Sequence, residues 1–170
     1  MRAGALIPVD EYLSSHFDPD CDYLAGEIEE RNVGEKDHSR LQGLLYGYLL
    51  QREKPWGIRT YPEQRVQVRP DRFRVPDICV ILGKAPSEQI FANPPFLCVE
   101  ILSPSDTVQK MMTRIQDYLD FGVPYVWLVD PASRRGWIWT RQGMTEAADG
   151  ILRTANPDLG VPLAELFDED

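Results

Sequence analysis

The stretch FLCVEILSPSDTVQKMMTRIQDYLDFGVPYVWLVDP, residues 96–131, decides the fold of this chain. It begins with an apolar strand, predicted over residues 96–102, which ends at SPSD, where Ser105 or Asp106 would cap a helix. Apolar side chains then recur at helical spacing until FGVP ends the helix, and a second apolar strand, YVWLVD, follows. This order predicts a βαβ unit with parallel strands and a right-handed crossover.

Two acidic residues interrupt the apolar strands. Asp77 lies in VPDICVIL and Glu100 lies in FLCVEIL. Burying an ion costs several kcal/mol, and two like charges about 4 Å apart repel by roughly 4 kcal/mol at an effective dielectric constant of 20. A cationic side chain, protonation of one carboxyl group, or a divalent metal ion bound by both residues would compensate. A purely structural alternative is that Asp77 caps the turn around residues 72–74 while Glu100 pairs with an arginine.

The remaining elements follow from hydrophobic periodicity and turn residues. They are a short helix over residues 8–16, an alternating strand over 22–31, an amphipathic helix over 36–53, strands over 58–69 and 77–82, edge strands over 135–140 and near Ile151, and a last helical turn in VPLAELF. We expect one domain over residues 1–170, of the α/β (α+β) class, with a mixed β-sheet flanked by helices.

The overall charge argues against unspecific binding to nucleic acid. The chain carries a formal net charge of -9, and an acidic surface repels phosphate. Residues 52–74 differ, because seven basic and three acidic side chains give that segment a balance of +4. The segment would suit a phosphate-bearing substrate, or it is a solvated ribbon with outward-facing charges.

The composition also favours a cytoplasmic protein that does not enter a membrane. No uninterrupted apolar run approaches the eighteen or more residues of a membrane span, and the first residues do not resemble a secretory signal. Cys79 and Cys98 lie inside apolar strands without a CxxC pair, which favours reduced core thiols over disulfides or a zinc site.

Five signatures occur in a specific order: Pro76-Asp77, Glu100 in an apolar strand, Ser103-Pro104-Ser105, Tyr118 before Gly122-Val123, and Trp127-Leu128-Val129-Asp130-Pro131. In this order they resemble the Uma-two family of restriction-endonuclease-like proteins, which belongs to the PD-(D/E)xK nuclease superfamily. The resemblance covers roughly residues 10–140. It implies a restriction-endonuclease-like core, DNA cleavage that depends on Mg²⁺ with Mn²⁺ as a substitute, a homodimer, and Asp77 and Glu100 as metal ligands.

The third residue of the superfamily pattern is unusual here. The superfamily lysine usually lies two positions after the second acid, which is Leu102 in this chain. In Uma-two proteins it is found in the following helix, four residues before the tyrosine, and that position is Arg114. Arg114 would lie at the border of the apolar stripe, either reaching the sheet or snorkelling to solvent. Arginine stays charged and can only orient or stabilise, whereas lysine can lose its proton. Lys110, one turn earlier, is an accessory candidate.

Two further residues match the family pattern. Glu27 resembles the additional acid of the family's Gly-Glu segment and would support the metal site, unless its side chain faces solvent. His38 matches a histidine at the start of the following helix, and its alternative role is that of a core or capping residue.

Three functions follow from these residues. The leading hypothesis is a Mg²⁺-dependent DNA endonuclease that uses Asp77, Glu100, Arg114 and Glu27. The first alternative is a catalytically inactive nuclease-fold module that binds nucleic acid or a protein partner, because the lysine is missing and the charge is acidic. The second alternative is a metal-free hydrolase in which the two acids act as an acid and base pair.

Overall fold

A six-stranded mixed sheet forms the centre of the computed structural model, which describes residues 6–32 and 34–167. In spatial order its strands are β10 (Gly143–Glu146), β9 (Arg135–Thr140), β8 (Tyr125–Asp130), β7 (Leu97–Ile101), β6 (Ile78–Leu82) and β3 (Ile58–Pro62). Strands β7 and β8 are parallel, while the other neighbouring pairs are antiparallel. The predicted βαβ unit and the mixed sheet are therefore confirmed.

A second sheet packs beside the first. Its strands, in spatial order, are β2 (Glu27–Glu29), β1 (Asp22–Leu24), β5 (Arg72–Arg74) and β4 (Val66–Arg69). The single strand predicted over residues 22–31 is wrong, because Ala25 and Gly26 turn the chain at φ values of 49° and 101°. The two-residue turn pairs Leu24 with Glu27 and Tyr23 with Ile28, so the alternation of side chains reverses its phase at the turn.

The strand predicted over residues 58–69 is also divided. Strand β3 ends at Pro62, Glu63 adopts a φ of 48°, and β4 then joins the other sheet. One alternating stretch therefore supplies an edge strand to each of the two sheets. The break at Glu63 could not be predicted, because glutamate is not a typical turn residue.

Four helices flank the sheets: α1 (Val9–Ser14), α2 (Lys36–Leu50), α3 (Glu53–Trp56) and α4 (Val108–Phe121). Helix α4 begins slightly later than expected, since its N-cap is Thr107 rather than Ser105 or Asp106, and Thr107 accepts a 3.2 Å hydrogen bond from the Lys110 backbone N–H. Gly122, at a φ of 108°, ends it as predicted. Strands β11 (Ile151–Arg153) and β12 (Gly160–Pro162) and a 3₁₀ turn at Leu163–Glu165 complete the described chain.

The large sheet is covered on both faces. Helix α2 packs Leu41, Leu45 and Leu49 onto one face, and α4 packs Ile115 and Tyr118 onto the other. Side chains alternate along a strand, so every second residue of β7 points at α4, and Glu100 is one of them. Among the described residues, no helix has both the length and the apolar character needed to cross a bilayer.

Candidate active site

The register of two central strands brings the predicted pair of acids together. Strands β6 and β7 are antiparallel with Ile78 opposite Val99, so Asp77 and Glu100 meet at one end of the pair. Both residues are buried, with 4% and 1% of their surfaces exposed. They line a cavity of about 60 Å³, which we call the site cavity. The expected convergence of the two carboxyl groups is therefore present.

Asp77 is surrounded by hydrogen-bond donors. Arg31 Nη2 donates to Oδ1 at 2.7 Å, the Ile101 backbone N–H donates to Oδ2 at 2.8 Å, and His38 Nε2 lies 3.3 Å from Oδ2. Burial raises the pKa of Asp77, but His38 and Arg31 outweigh burial and hold that pKa below its usual value. Burial lowers the pKa of His38, and Asp77 outweighs this and raises it. Asp77 is therefore a carboxylate held by Arg31, His38 and a backbone N–H.

Glu100 differs from Asp77, although both are deeply buried. Arg114 Nη1 donates to Oε2 at 3.0 Å and the Tyr118 hydroxyl donates to Oε1 at 2.6 Å. Burial is the largest effect and, with repulsion from Asp77, raises the pKa of Glu100 to about 7, against the opposing charge of Arg114. One acid of the pair is thus ionised at neutral pH, whereas the other is close to its midpoint.

Helix α4 supplies both partners of Glu100, since Arg114 and Tyr118 lie one turn apart on the face that meets the sheet. Arg114 also donates from Nη2 to Asp22 Oδ2 at 2.9 Å. Asp22 belongs to β1 of the second sheet and is completely buried. The guanidinium group therefore joins the two sheets, and Arg114 reaches inward rather than snorkelling to solvent.

The comparisons with known proteins identify the family and the fold of this chain. The model of the Uma2 family, described as "Putative restriction endonuclease", matches residues 9–163. The chain belongs to the Uma2 family. A matching solved structure is that of "a putative nuclease belonging to DUF820" from Anabaena variabilis, with a TM-score of 0.79 and 25% sequence identity over 95% of this chain and 97% of that one. The fold is accordingly restriction-endonuclease-like. None of the curated proteins matches the chain.

Of the accessory residues that the family resemblance predicted, some line the site cavity and one does not. His38 and Lys110 both line it, although Lys110 is largely exposed and its Nζ lies 3.1 Å from Glu29 Oε1. Glu27 is exposed next to the hairpin turn and is not among the residues that line the cavity. Glu29 lies one full strand period further from the turn and does line it. The hairpin therefore contributes an acid to the cavity two residues later than the sequence suggested.

Two residues that contact the site were not identified from the sequence. Arg31 follows the hairpin and is buried against Asp77, although a basic residue at a strand end carries no signal of its own. Asp22 opens a strand next to apolar residues, as Asp77 does, and that placement was a usable signal.

The basic stretch at residues 52–74 is largely compensated by acids of other elements. Arg65 pairs with Asp20, while Arg72 and Arg74 both pair with Asp117. Arg74 is 1% exposed, so the stretch is not a solvated ribbon at this residue. For the same reason, Arg74 is not part of an open surface that could bind phosphate.

The donor chemistry and the charge of the site cavity fit a hard divalent cation. Five carboxylates line the cavity: Glu29, Glu30, Asp77, Glu100 and Asp106. Three cations line it when His38 is set aside: Arg31, Lys110 and Arg114. Five minus three leaves a formal charge of -2. A buried water needs about 10–15 Å³, so the 60 Å³ cavity has room for several. Among the described residues no group of three or more His, Cys, Asp or Glu side chains is arranged for a metal, but Mg²⁺ takes only one or two carboxylates and keeps its waters.

Proposed function

We propose that this chain is a DNA endonuclease that hydrolyses phosphodiester bonds with Mg²⁺, for which Mn²⁺ substitutes. The observation that carries the proposal is the pair of buried carboxyl groups, Asp77 and Glu100, in a cavity whose lining has two more acids than cations. The Uma2 membership supports the reaction class.

Asp77 and Glu100 would hold the metal ion. A bound divalent cation neutralises charge on the scissile phosphate and lowers the pKa of a bound water. The raised pKa of Glu100 suits this role, because a cation between the two acids would offset the burial and the repulsion from Asp77 that together keep its proton bound.

The remaining residues of the site position these two acids. His38 and the Ile101 N–H fix one oxygen of Asp77, and Tyr118 fixes one oxygen of Glu100. Arg114 stays charged, so it would stabilise the phosphate rather than take a proton from water. Glu27 remains a supporting acid only if a bound substrate draws the hairpin toward the site cavity.

The proposal includes a homodimer in the cytoplasm. The family resemblance implies the dimer, and three free cysteines suit a reducing compartment. Light scattering of the purified protein measures the oligomeric mass.

Plasmid cleavage tests the proposal directly. Supercoiled DNA incubated with the protein and Mg²⁺ or Mn²⁺ should be nicked or linearised, and Asp77→Asn and Glu100→Gln should each lower the rate at least a hundredfold. Asp158→Asn and Glu88→Gln are matched controls, because the same substitutions fall on acids outside the site cavity, of which Asp158 is exposed and Glu88 is partly exposed. Cleavage that persists in both site variants overturns the assignment, and cleavage that survives chelation supports the metal-free acid and base pair instead.

The catalytically inactive module is the second candidate function. It is favoured by one observation, that each acid of the pair already has an arginine partner, Arg31 for Asp77 and Arg114 for Glu100. A ligand that binds only the folded state raises the melting temperature, so thermal unfolding with and without Mg²⁺ separates the two. An upward shift in the native chain that Glu100→Gln abolishes supports the metal site, and no shift at millimolar Mg²⁺ supports the inactive module.

A further inference from the structure

A buried hydrogen-bond donor without an acceptor lies beside the first acid of the pair. The Arg31 side chain is 3% exposed, and its Nη2 donates to Asp77 Oδ1 at 2.7 Å. Its Nη1 is also buried, but among the described residues none accepts a hydrogen bond from it. Glu63 Oε1 lies 3.6 Å from Nη1, which is too far for a hydrogen bond. Buried polar groups of proteins are almost always paired, so the state of Nη1 requires an explanation.

Glu63 is held next to Asp77 by the backbone. Strand β3 pairs with β6 so that Pro62 lies opposite Ile78, and the Glu63 N–H donates to the Asp77 carbonyl oxygen at 3.2 Å. Glu63 has a φ of 48°, which residues other than glycine rarely adopt and which is concentrated at functional sites. Its side chain is 45% exposed and does not line the site cavity, so Arg31 is what connects it to the site.

Asp77 cannot bind a cation without affecting Arg31. The Ile101 N–H donates to Asp77 Oδ2 at 2.8 Å, and His38 Nε2 lies 3.3 Å from the same oxygen. A carboxylate has about four lone-pair sites on its two oxygens, so both sites of Oδ2 are used. A cation would therefore bind at Oδ1, where Arg31 already donates. The cation and the guanidinium group would repel each other.

Glu100, the second acid, shows how such a conflict is avoided. Its partner Arg114 donates from Nη1 to Glu100 at 3.0 Å and from Nη2 to Asp22 Oδ2 at 2.9 Å. Arg114 therefore keeps a carboxylate partner if Glu100 binds a cation. A buried cation without a partner is costly, so Arg31 needs a second acid in the same way, and Glu63 lies in the position to supply it.

We propose that Glu63 is a positioning residue of the metal site, to which Arg31 transfers its hydrogen bond when Asp77 binds the divalent cation. The inference rests on the proposed function, because it takes Asp77 as a metal ligand. The guanidinium group carries five N–H donors in a rigid fork, so it can exchange one carboxylate for the other and stay paired. Glu63 thus makes the buried pair of Asp77 and Arg31 compatible with metal binding.

Calorimetric titration with Mg²⁺, and separately with Mn²⁺, tests this role without requiring cleavage. Glu63→Gln should weaken metal binding by roughly tenfold, the lower end of the range for residues that support metal ligands. Glu63→Asp keeps the charge and tolerates a positive φ, but it is one methylene group shorter, so it should also weaken binding. Glu146→Gln is the matched control, because Glu146 pairs with Arg135 on the surface, away from the site cavity, and it should leave the affinity unchanged.

Two further measurements separate positioning from other effects of Glu63. In Arg31→Met no guanidinium group occupies Asp77 Oδ1, so adding Glu63→Gln should cause no further loss of affinity. Without metal, Glu63→Gln should lower the melting temperature no more than Glu146→Gln does, because Nη1 of Arg31 donates no hydrogen bond to Glu63. A lower melting temperature with unchanged metal affinity would make Glu63 a structural residue, and full affinity in Glu63→Asp would mean that only its charge matters. Either result overturns the proposal.

The two proposals can fail separately. If the native chain binds metal and the Glu63 variants bind it equally well, the metal site stands and the positioning role is removed. If the metal affinity depends on Glu63 as described but no DNA is cleaved, the positioning role stands and the endonuclease is removed. A native chain that binds neither Mg²⁺ nor Mn²⁺ overturns both.

Discussion

Two clusters of buried charge lie side by side in this molecule, and they are balanced differently. In the first, which we call the arginine network, Arg72 and Arg74 face Asp22 and Asp117 at distances of 2.7–2.9 Å, two cations against two acids. In the second, the site cavity, the lining has two more carboxylates than cations. Burial of charge alone therefore does not mark a functional site, since acids and cations are equal in number in the arginine network, whereas the site cavity has an excess of acids that a ligand can neutralise.

The largest expected effect comes from breaking the balanced cluster. Arg74→Met would remove the cation that Asp22 and Asp117 share, leaving Arg114 as the partner of Asp22 and Arg72 as the partner of Asp117. Removing one partner of a buried pair costs about 3–5 kcal/mol. Urea unfolding should show this loss, and Mg²⁺ should not restore it, because neither acid lines the site cavity. Glu29, the third acid on Arg74, keeps Lys110 as a partner.

Arg135→Met is the matched control for that substitution. Arg135 pairs with Glu146 on the surface through two hydrogen bonds of 2.7 Å, and because solvent screens exposed pairs, its loss should change the stability little. If Arg74→Met lowers the free energy of unfolding no more than Arg135→Met does, or if Mg²⁺ restores the stability of Arg74→Met, the arginine network is not distinct from the site cavity.

The pH dependence of stability is the second test, with an intermediate expected effect. The pKa of Glu100 is raised from 4.5 to about 7, so its contribution to stability is complete below about pH 4.5 and is lost as the pH rises through about 7. The pKa of His38 is also raised, which gives the same sign, while the lowered pKa of Asp77 matters only below its ordinary value of 3.8. The metal-free protein should therefore lose about 3 kcal/mol between pH 5 and pH 8, at about 1.4 kcal/mol per pKa unit.

Thermal unfolding across this pH range, with and without Mg²⁺, measures the effect. The shift in melting temperature caused by Mg²⁺ should grow with pH, because protons and the metal ion compete for Glu100. In Glu100→Gln the pH dependence should shrink to the part that His38 contributes, and the Mg²⁺ shift should vanish. A melting temperature that rises from pH 5 to pH 8 without metal would show that Glu100 is ionised throughout.

Much of the fold could be predicted from the sequence because its central unit is local. The strand, helix and strand of residues 96–131 are consecutive, so hydrophobic period and helix-ending residues suffice to predict the pairing of β7 with β8. The divided strands could not be predicted in the same way. Ala25 and Glu63 take positive φ values that their residue types do not favour, and only tertiary packing selects them.

Two kinds of residue in the candidate site could be predicted from the sequence: acids inside apolar strands and residues that match the family pattern. Asp77 and Glu100 were identifiable because acids are rare inside apolar strands, and Arg114 was identifiable from its distance to Tyr118. Arg31 could not be found, since its pairing with Asp77 joins residues 46 positions apart and depends on where the hairpin ends. Glu27 was predicted from the Gly-Glu segment of the family pattern, whereas Glu29, on the same face of β2, is the residue that lines the site cavity.

The smallest expected effect comes from that pair of glutamates. Glu29 lines the site cavity and pairs with Lys110, whereas Glu27 is exposed beside the turn. Glu29→Gln removes one negative charge from the cavity lining and should weaken Mg²⁺ binding two- to fivefold, about 0.5–1 kcal/mol, the scale of partly exposed ion pairs. Glu27→Gln is the matched control and should leave the affinity unchanged in a calorimetric titration. A larger loss of Mg²⁺ affinity in Glu27→Gln than in Glu29→Gln would mean that the hairpin moves toward the metal on binding. Glu27 would then have to be included in the charge count of the site cavity.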